Sequence, residues 1–309
     1  MRGRVVSVNT SLKKGDRKTP VGEAILLPGY GIKGDAHAGG ARQVSILANE
    51  HVLEAAAVLP LKPGDFGENI TTEGFDLSSL HIGDRVCIGP EAILQLSEIG
   101  KTCESPCSIG QRLGDCIMPK HGMFAKVTRG GRIATGDTVE PCSRKVAAVL
   151  TSSDRCSRGE RQDESGPLIV DLLRELDVFV AEHAILPDDE AGLSDKLSFW
   201  ADKCALDLAI TTGGTGFSER DRMPEATLAV VTSPAPGIAE AIRHEGLSHT
   251  PFACLSRAMS GLRGRTLIIN LPGNRRAVAE SLDFLRVILP HVLETIRGEV
   301  TDCRFQGRS

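Results

Sequence analysis

A glycine-rich segment in the second half of the chain has the residue types that suit phosphate binding. The apolar residues 208–210 lead directly into the sequence Thr-Thr-Gly-Gly-Thr-Gly at positions 211–216. Glycines leave backbone N–H groups accessible to an anion, and threonine hydroxyls supply further donors. The segment lacks the Gly-Lys-Ser/Thr ending of a P-loop, and its glycine spacing differs from the dinucleotide-binding fingerprint. By itself the pattern predicts either a phosphate-binding turn or a structural strand-to-helix turn.

Two acidic side chains near this segment, Asp188 and Asp221, are candidate ligands of a metal ion. Asp188 follows the predicted strand 178–185, and Asp221 lies just beyond the glycine-rich segment. Carboxylate oxygens suit Mg²⁺ bound to phosphate, and open α/β sheets bind ligands at the carboxyl ends of their strands. The alternative is structural, with Asp221 as the N-cap of a helix and Asp188 in the acidic segment before the helix that starts at Ala191.

Polar residues also follow two other predicted strands of this half. The first strand ends in Ser-Ser-Asp-Arg at positions 152–155, and the last leads into Asn-Leu-Pro-Gly-Asn at positions 270–274. Because the carboxyl ends of parallel strands share one edge of a sheet, we expect these loops to meet Asp188 and Asp221 at a single site.

The first half contains a group of cysteines, Cys103, Cys107 and Cys116. A thiolate is a soft metal ligand and a nucleophile, and nearby cations such as Lys101 or Arg112 would favour it by lowering the thiol pKa. Two alternatives stay open. The cysteines could form part of a zinc site, with His121 as a fourth ligand, or they could be small buried apolar side chains.

The elements that position these residues differ between the two halves. Residues 1–142 have short β-rich segments separated by Gly-Asp turns, and only residues 49–59 have a helical pattern. We predict a mainly β barrel or sandwich for this domain. Strands are predicted at residues 4–8, 43–48, 69–72, 85–88, 93–97 and 125–128.

Residues 143–309 instead alternate apolar strands with longer helices, which predicts a doubly wound parallel α/β sheet. Pro290 lies inside the last helical region and is a possible kink. Strands are predicted at residues 146–151, 178–185, 206–212 and 266–271, and helices at residues 168–176, 191–204, 225–231, 238–245 and 276–297.

Composition excludes several classes of partner. The net charge is −4 and aromatic residues make up only 4% of the 309 residues, so neither a basic surface nor stacking side chains favour nucleic-acid binding. No run of 18 apolar residues or signal-peptide pattern occurs. We therefore expect a cytoplasmic protein without membrane contact, whose nine cysteines are mostly reduced thiols.

The motifs of residues 144–298, taken in order, resemble the MogA/MoaB family of molybdopterin adenylyltransferases. They are Thr-Ser-Ser-Asp-Arg, Pro-Asp-Asp, Thr-Thr-Gly-Gly-Thr-Gly, Arg-Asp-Arg-Met-Pro-Glu-Ala-Thr, Leu-Ser-Arg-Ala and Asn-Leu-Pro-Gly. The resemblance implies a molybdopterin-binding fold. It also implies transfer of AMP from Mg²⁺-ATP onto the terminal phosphate of molybdopterin, with release of pyrophosphate.

By the same resemblance, Asp188 and Asp221 match the catalytic acidic positions, and we assign both to Mg²⁺ binding and to orienting the attacking phosphate. Arg257 is the expected phosphate donor because its planar fork binds phosphate in bidentate fashion, the alternative being a surface ion pair. The expected substrate-binding residues are Ser153, Asp154, Thr212, Gly213, Gly214, Thr215, Gly216, Ser256, Arg257, Asn270, Leu271, Pro272 and Gly273.

The first 140 residues resemble the MOSC domain, which implies a MOSC-type β-barrel. The resemblance rests on Gly-Ile-Lys-Gly-Asp-Ala-His-Ala-Gly at positions 31–39, on Arg-Gln-Val-Ser at 42–45 and on Gly-Asp-Phe-Gly-Glu-Asn at 64–69. It implies that a cysteine carries sulfur or ligates molybdenum, and we favour Cys103, followed by Cys107. Asp35 and His37 are interpreted as turn and pocket residues rather than as a metal pair.

Together, the two resemblances predict a bifunctional protein of molybdenum cofactor biosynthesis. One half would adenylylate molybdopterin, and the MOSC half would bind the cofactor or load it with sulfur. The alternative is a non-catalytic carrier of molybdopterin or of the molybdenum cofactor. The resemblance also implies a homo-oligomer, with a trimer as one form, and hand-over of the product to a molybdenum insertase or a molybdoenzyme.

Overall fold

The computed structural model describes residues 2–57, 59–101 and 116–299. Cys103 and Cys107 lie outside these residues. The chain divides into two compact units, one formed by Met1–Ser143 with Lys203–Ala205 and the other by Arg144–Asp202 with Leu206–Ser309. Within the described ranges, no helix is both long and apolar enough to cross a lipid bilayer.

The first unit is built on a closed barrel of seven strands, which confirms the predicted β-barrel. Around the barrel the strands follow the order β1-β6-β5-β9-β8-β7-β11, and β11 pairs again with β1, so the sheet closes on itself. The barrel strands are β1 (Gly3–Thr10), β5 (Val44–Ala48), β6 (Ile70–Glu73), β7 (Arg85–Ile88), β8 (Ala92–Ile99), β9 (Met123–Arg129) and β11 (Thr138–Pro141).

The remaining elements of this unit are short. A two-residue strand β2 (Thr19–Pro20) pairs with β1, and β3 (Glu23–Leu27), β4 (Gly31–Ile32) and β10 (Gly131–Ala134) form a separate three-stranded sheet. Helix α1 (Asn49–Ala56) lies in the connection between β5 and β6 and allows these two strands to pair in parallel. Helix α2 (Met118–His121) precedes β9.

One disulfide occurs among the described cysteines, between Cys87 and Cys142. Cys87 lies on β7, Cys142 follows β11, and these strands pair side by side, so the two Cα atoms are only 5.2 Å apart. This pair is therefore an exception to the expectation that the cysteines are mostly reduced thiols. The sequence separation of 55 residues gave no indication of the contact.

The second unit contains one six-stranded sheet in the order β13-β12-β14-β17-β16-β15. The strands β12, β13, β14 and β17 run parallel, as predicted, but β15 and β16 run antiparallel at one edge. The two antiparallel strands at this edge are strands that the sequence analysis did not predict. Strand β16 ends at Arg263 and β17 begins at Thr266, and so short a connection permits only an antiparallel hairpin. The strands are β12 (Lys145–Ser152), β13 (Val178–Leu186), β14 (Leu208–Thr212), β15 (Ser233–Pro234), β16 (Ser260–Arg263) and β17 (Thr266–Leu271).

Helices lie on both faces of this sheet. The inward apolar side chains of α4, α7 and α8 join those of β12, β14 and β17 in one core cluster. On the other face, Asn270 of β17 donates a hydrogen bond to Thr227 of α6. The helices are α3 (Asp154–Ser157), α4 (Gly166–Glu175), α5 (Glu190–Ser198), α6 (Met223–Val230), α7 (Pro236–Leu247) and α8 (Arg275–Arg297). Helix α8 continues through Pro290 without ending there.

Candidate functional site

The parallel strands of the second unit end together at one edge of the sheet. Ser152 at the end of β12 is in register with Leu186 of β13, and Thr212 at the end of β14 is in register with Leu271 of β17. The chain goes from β12 to β13 on one side and returns to β14 on the other, so β12 and β14 form a topological switch point. Ligands of open α/β sheets bind at such a point, and the loops that follow these strands contain the predicted site residues.

Asp188 is held against the end of β12 by two hydrogen bonds. The Ser152 hydroxyl donates to its Oδ1 at 2.5 Å, and the backbone N–H of Asp154 donates to its Oδ2 at 3.1 Å. The neighbouring Asp189 caps helix α5, because its carboxylate accepts from the Gly192 N–H at 2.8 Å. The capping role considered for the acidic segment therefore belongs to Asp189, and Asp188 is directed to the edge of the sheet.

The glycine-rich segment packs tightly between the loops on either side of it. Gly213 has φ +90°, and a Cβ there would lie 2.3 Å from the Ser152 carbonyl oxygen. Gly214 also has positive φ, and a Cβ there would approach Asp188 Oδ1 to 3.3 Å. Only glycine allows the backbone to come this close to β12 and to the carboxylate of Asp188. The loop backbone is therefore adjacent to this carboxylate.

Asp221 lies on the other side of the same segment. Its Oδ2 accepts a hydrogen bond from the Ser218 N–H at 2.9 Å, and a Cβ at Gly216 would lie 2.9 Å from this oxygen. The residue at the N-cap of α6 is Arg222, which makes no side-chain capping bond. Asp221 thus orders the turn after the glycines and does not cap the helix, and the two aspartates flank the glycine-rich segment.

Arg257 binds protein groups through all three of its guanidinium nitrogens. Its Nε donates to the Gly216 carbonyl and its Nη2 to the Asp221 carbonyl, both at 2.6 Å, and its Nη1 pairs with the Glu225 carboxylate. This arrangement departs from the prediction that Arg257 is a phosphate donor. The guanidinium fixes the turn that contains Asp221. Its forked N–H groups, which we expected to bind phosphate, donate to backbone carbonyls instead.

The turn after β17 is partly interior. Asn270 is fully buried and its amide donates to the Thr211 and Thr227 hydroxyls, while Leu271 belongs to the apolar core. The prediction was that the turn of residues 270–273 completes the substrate pocket, and the side chains of Asn270 and Leu271 are interior because strand β17 continues through Leu271. The Pro272 carbonyl accepts from the Thr212 hydroxyl at 2.6 Å.

A cavity of about 540 Å³ opens beside these loops. Of the predicted substrate-binding residues, Ser153, Thr212, Gly213 and Gly273 line it. Sequence reasoning missed two arginines in its wall, Arg161 and Arg275, because neither belongs to a recognisable motif. Their cationic side chains favour an anionic ligand. We call this the arginine cavity.

One wall of the arginine cavity is organised by Asp163, which sequence reasoning also missed. Its Oδ1 accepts from the N–H groups of Ser165 and Gly166 at 3.0 Å, and its Oδ2 accepts from the Thr151 hydroxyl at 2.5 Å. His183 Nε2 lies 3.0 Å from the same Oδ2. Burial alone would raise the pKa of Asp163, but hydrogen bonds from His183, Thr151 and the backbone outweigh it and hold the pKa well below its ordinary value.

Among the described residues, no group of three or more His, Cys, Asp or Glu side chains could hold a metal ion. The carboxylates that the sequence predicts as Mg²⁺ ligands are the two single side chains Asp188 and Asp221. Mg²⁺ is commonly bound by one or two carboxylates together with phosphate oxygens and water, so this donor set fits the ion.

The first unit has a smaller cavity of about 160 Å³, with Arg17, His37 and Arg42 in its wall. Beside it, Lys18 and Asp35 form a buried ion pair at 2.5 Å, and the His37 N–H donates to Asp35 at 3.0 Å. Burial alone would raise the pKa of Asp35, but hydrogen bonds from His37 and Lys18 keep the pKa below its ordinary value. These contacts agree with the interpretation of Asp35 and His37 as turn and pocket residues.

Of the three grouped cysteines, only Cys116 is described. It is half-buried and packs against an apolar cluster that includes Leu47 and Phe124, as expected for a small apolar side chain. His121, the fourth ligand considered for zinc, stacks on His51 with ring centroids 3.9 Å apart. Cys103 and Cys107 keep their roles as predictions from the sequence.

Two family models match the chain. Residues 148–291 match the model described as a probable molybdopterin binding domain, and residues 33–140 match the MOSC domain.

The curated relatives named here match between 48% and 67% of this chain. The molybdopterin adenylyltransferase of Helicobacter pylori strain J99 is 38% identical over 152 residues, which are 48% of this chain and 86% of that protein. The molybdenum cofactor synthesis protein cinnamon of Drosophila melanogaster is 37% identical over 50% of this chain, but the match spans only 26% of its length. A molybdenum cofactor biosynthesis bifunctional protein of Synechococcus elongatus is 33% identical over 67% of this chain and 64% of its own.

Among solved structures, the molybdopterin biosynthesis enzyme MoaB of Thermus thermophilus is 44% identical. The match covers 50% of this chain and 97% of that chain, with a TM-score of 0.48.

Proposed function

The chain belongs, through residues 148–291, to the molybdopterin adenylyltransferase family of nucleotidyltransferases, and from this premise we propose that it transfers AMP from Mg²⁺-ATP to molybdopterin. An oxygen of the terminal phosphate of molybdopterin attacks the α-phosphorus of ATP. The bond from that phosphorus to the β-phosphate bridging oxygen breaks, and pyrophosphate leaves with its electron pair. No base is needed, because a phosphate monoester already carries a nucleophilic oxygen near neutral pH.

The observation that carries this proposal is the placement of two carboxylates on either side of a glycine-rich loop. Gly214 packs against Asp188 and Gly216 against Asp221, so the loop backbone at these glycines lies between the two acids. Two anionic reactants must meet there, and a bound Mg²⁺ would screen their charges and polarise phosphate oxygens. Asp188 and Asp221 would hold that ion, while the loop N–H groups orient the phosphate.

The arginine cavity is the proposed place of molybdopterin. Its volume of about 540 Å³ falls in the range of small-molecule sites. Thr212 and Gly213 lie in its wall, so a pterin in the cavity would have its phosphate beside the glycine-rich loop. Arg161 and Arg275 would balance the negative charge of the substrate. Positioning of this kind supplies much of the rate in phosphoryl transfer.

The proposal is tested by incubating the protein with Mg²⁺-ATP and molybdopterin and measuring adenylylated pterin and pyrophosphate. We expect both products in equal amounts, loss of both on chelation of Mg²⁺, and loss of both in Asp221→Ala. Asp195→Ala, which changes an exposed acid of helix α5, is the matched control and should retain activity. Absence of any adduct with the unmodified protein, or full activity of Asp221→Ala, would refute the proposal. Tight pterin binding without ATP turnover would favour the carrier alternative.

For the MOSC unit we propose binding or sulfur loading of the cofactor, with Cys103 as the reactive thiol and Cys107 as the second choice. The support for this proposal is the resemblance of this half to the MOSC domain, which the family model for residues 33–140 bears out. Cys103→Ser should lower the sulfur loading of bound cofactor, measured by mass spectrometry. Unchanged loading would remove this role.

We further propose that the protein works in the cytoplasm as a homo-oligomer, with a trimer as one form, and passes its product to a molybdenum insertase or molybdoenzyme.

A further inference from the structure

An ion pair joins two segments of the sheet edge beside the glycine-rich segment. Arg220 Nη1 donates to Asp154 Oδ2 at 2.9 Å, although 66 residues separate the two in sequence. Arg220 directly precedes Asp221, whereas Asp154 follows β12 and bonds to Asp188. The pair therefore connects the two segments that hold the proposed Mg²⁺ ligands.

Asp154 contacts Asp188 and Arg220 at the same time. Its Oδ1 accepts from the Asp188 N–H at 3.2 Å, and its own N–H donates to Asp188 Oδ2 at 3.1 Å. Its Oδ2 accepts from Arg220. A single residue thus lies between the guanidinium of Arg220 and a carboxylate that we propose to bind Mg²⁺.

The guanidinium of Arg220 is held by fewer contacts than that of Arg257. Within the described ranges, the bond from Nη1 to Asp154 is its only hydrogen bond, and 75% of its side chain is exposed. Arg257 uses all three nitrogens on protein groups. An exposed ion pair with one hydrogen bond is screened by water and contributes little to stability. Arg220 can therefore exchange Asp154 for another anion at low cost.

The backbone on either side of Arg220 is ordered. The Ser218 N–H donates to Asp221 Oδ2 and the Asp221 N–H donates to the Ser218 carbonyl, both at 2.9 Å. Arg257 bonds to the Asp221 carbonyl as well. The long side chain of Arg220 can therefore rotate without movement of the turn, which limits the entropy lost when its guanidinium binds a ligand.

The proposed AMP transfer requires a cation near the leaving group. When the bond to the β-phosphate breaks, the departing pyrophosphate gains negative charge. A planar guanidinium can donate to two phosphate oxygens at once, which an ammonium group cannot do with the same geometry. Stabilisation of transferring or leaving phosphates by an arginine is a general device in phosphoryl transfer.

We propose that Arg220 breaks its bond to Asp154 when the nucleotide binds and donates to the β- and γ-phosphates, which become the leaving pyrophosphate. In the absence of ligand, Asp154 holds the guanidinium beside the glycine-rich segment. This inference rests on the proposed adenylyl transfer and assigns a residue to its leaving group. Because Asp154 competes with phosphate for Arg220, the two members of the ion pair should have opposite effects on pyrophosphate binding.

Binding of pyrophosphate to the full chain at saturating Mg²⁺, measured by titration calorimetry, tests this expectation. Arg220→Ala should weaken binding about tenfold or more, as expected for a lost hydrogen bond between charged groups. Asp154→Asn should tighten it about two- to fivefold, because an exposed ion pair no longer has to be broken. Asparagine keeps the oxygen that accepts from the Asp188 N–H. Weaker binding in both variants would show a purely structural ion pair and overturn the inference, as would the absence of pyrophosphate binding to the unmodified chain.

A double variant separates competition for Arg220 from a general effect of charge. Removal of the Asp154 carboxylate also makes the site less negative, which by itself would favour an anion. If Asp154 acts through Arg220, the gain from Asp154→Asn should disappear in the Arg220→Ala background. An equal gain in both backgrounds would contradict the inference. Arg174→Ala, which breaks an exposed ion pair with Asp171 on α4, is the matched control and should bind pyrophosphate as the unmodified chain does.

The kinetics of AMP transfer distinguish phosphate binding from a structural role. Arg220→Ala should lower kcat/KM for ATP about a hundredfold or more. It should leave KM for molybdopterin close to that of the unmodified chain, because the pterin is proposed to occupy the arginine cavity. Arg220→Lys keeps the charge without the planar fork and should recover only part of the loss. Equal changes in KM for both substrates would indicate a general disturbance of the site and contradict the assignment.

The inference and the proposed function can fail separately. The exposed ion pair contributes little to stability, so Arg220→Ala should unfold at the temperature of the unmodified chain. Opposite effects of Arg220→Ala and Asp154→Asn on pyrophosphate binding, without any AMP transfer, would contradict only the function. AMP transfer with an unchanged kcat/KM for ATP in Arg220→Ala would contradict only the role of Arg220.

Discussion

At the scale of single residues, two adjacent aspartates have different environments. Asp189 accepts from the Gly192 N–H and caps α5, whereas Asp188 accepts from the Ser152 hydroxyl and the Asp154 N–H at the sheet edge. Asparagine is as good an N-cap as aspartate but carries no charge for a metal ion. The same substitution at the two positions therefore separates a structural carboxylate from one proposed to bind Mg²⁺.

We expect Asp188→Asn to lower kcat for AMP transfer about a hundredfold or more while the protein stays folded, because the amide can still accept from Ser152. Asp189→Asn should leave both kcat and stability close to those of the unmodified protein. Steady-state kinetics at saturating Mg²⁺ and thermal unfolding check the pair. Equal kcat values for the two variants would contradict the role of Asp188.

Asp163 should make the stability of the second unit depend on acid pH. Its pKa in the folded protein lies below the ordinary value of 3.8, so the carboxylate stabilises the fold fully above that value. This contribution is lost as the pH falls below 3.8 toward the folded-state pKa. Asp163→Asn should lower the free energy of unfolding at pH 7 by about 1–3 kcal/mol, because hydrogen bonds to the second oxygen are lost.

The same substitution should flatten the loss of stability between about pH 4 and pH 2. Denaturant unfolding followed by the fluorescence of Trp200, the single tryptophan of the chain, measures this unit. Asp171→Asn, on the exposed face of α4, is the control and should keep the acid dependence of the unmodified protein. A variant at position 163 with an unchanged pH profile would contradict the prediction.

At the scale of elements, the connection from β14 to α6 depends on glycine at position 213. Its φ of +90° and the short distance to the Ser152 carbonyl leave no room for a side chain. Gly237, at the start of α7, has open space around its Cβ position and no positive φ. Position 213 therefore requires glycine, whereas position 237 can accept a side chain.

Gly213→Ala should destabilise the unit by more than about 1 kcal/mol and abolish AMP transfer, because the loop must move away from β12. Gly237→Ala should stabilise the unit by about 0.5–1 kcal/mol through helix propensity and keep activity. Denaturant unfolding and product formation measure both effects. Wild-type behaviour of Gly213→Ala would show that the loop geometry is not needed.

At the scale of the whole molecule, each compact unit has its own apolar core. One core fills the barrel around Val5, Ile46 and Leu94, and the other joins β12, β14 and β17 to their helices. Every residue proposed for AMP transfer lies in the second unit. The proposed reaction therefore needs only that unit.

Residues 143–309 expressed alone should transfer AMP at the rate of the full chain, and residues 1–142 alone should not. Product formation under identical Mg²⁺-ATP concentrations measures this. Mass spectrometry of ligands that copurify with each form would show which unit retains pterin. If residues 143–309 fold but do not transfer AMP while the full chain does, the assignment of the activity to one unit is wrong.

Local sequence patterns were sufficient to predict the class of each half and the residues expected at the sheet edge. Apolar periodicity and turn residues are local signals, so the central strands and the long helices were predicted close to their observed positions. The glycine-rich segment, Asp188 and Asp221 were identified because their motifs are contiguous in sequence. Short strands such as β2 and β4 were missed, because two residues carry no periodicity.

Contacts between side chains that are distant in sequence could not be predicted and became apparent from the folded chain. Thr151, Asp163 and His183 lie on three separate segments, and Cys87 pairs with Cys142 across 55 residues. The interior position of Asn270 likewise depends on the packing of α6 against β17. These contacts arise from long-range packing of strands and helices, which local sequence patterns do not encode. The sequence therefore predicted which residues lie at this edge, whereas long-range packing determines how its loops are held and which cavity flanks them.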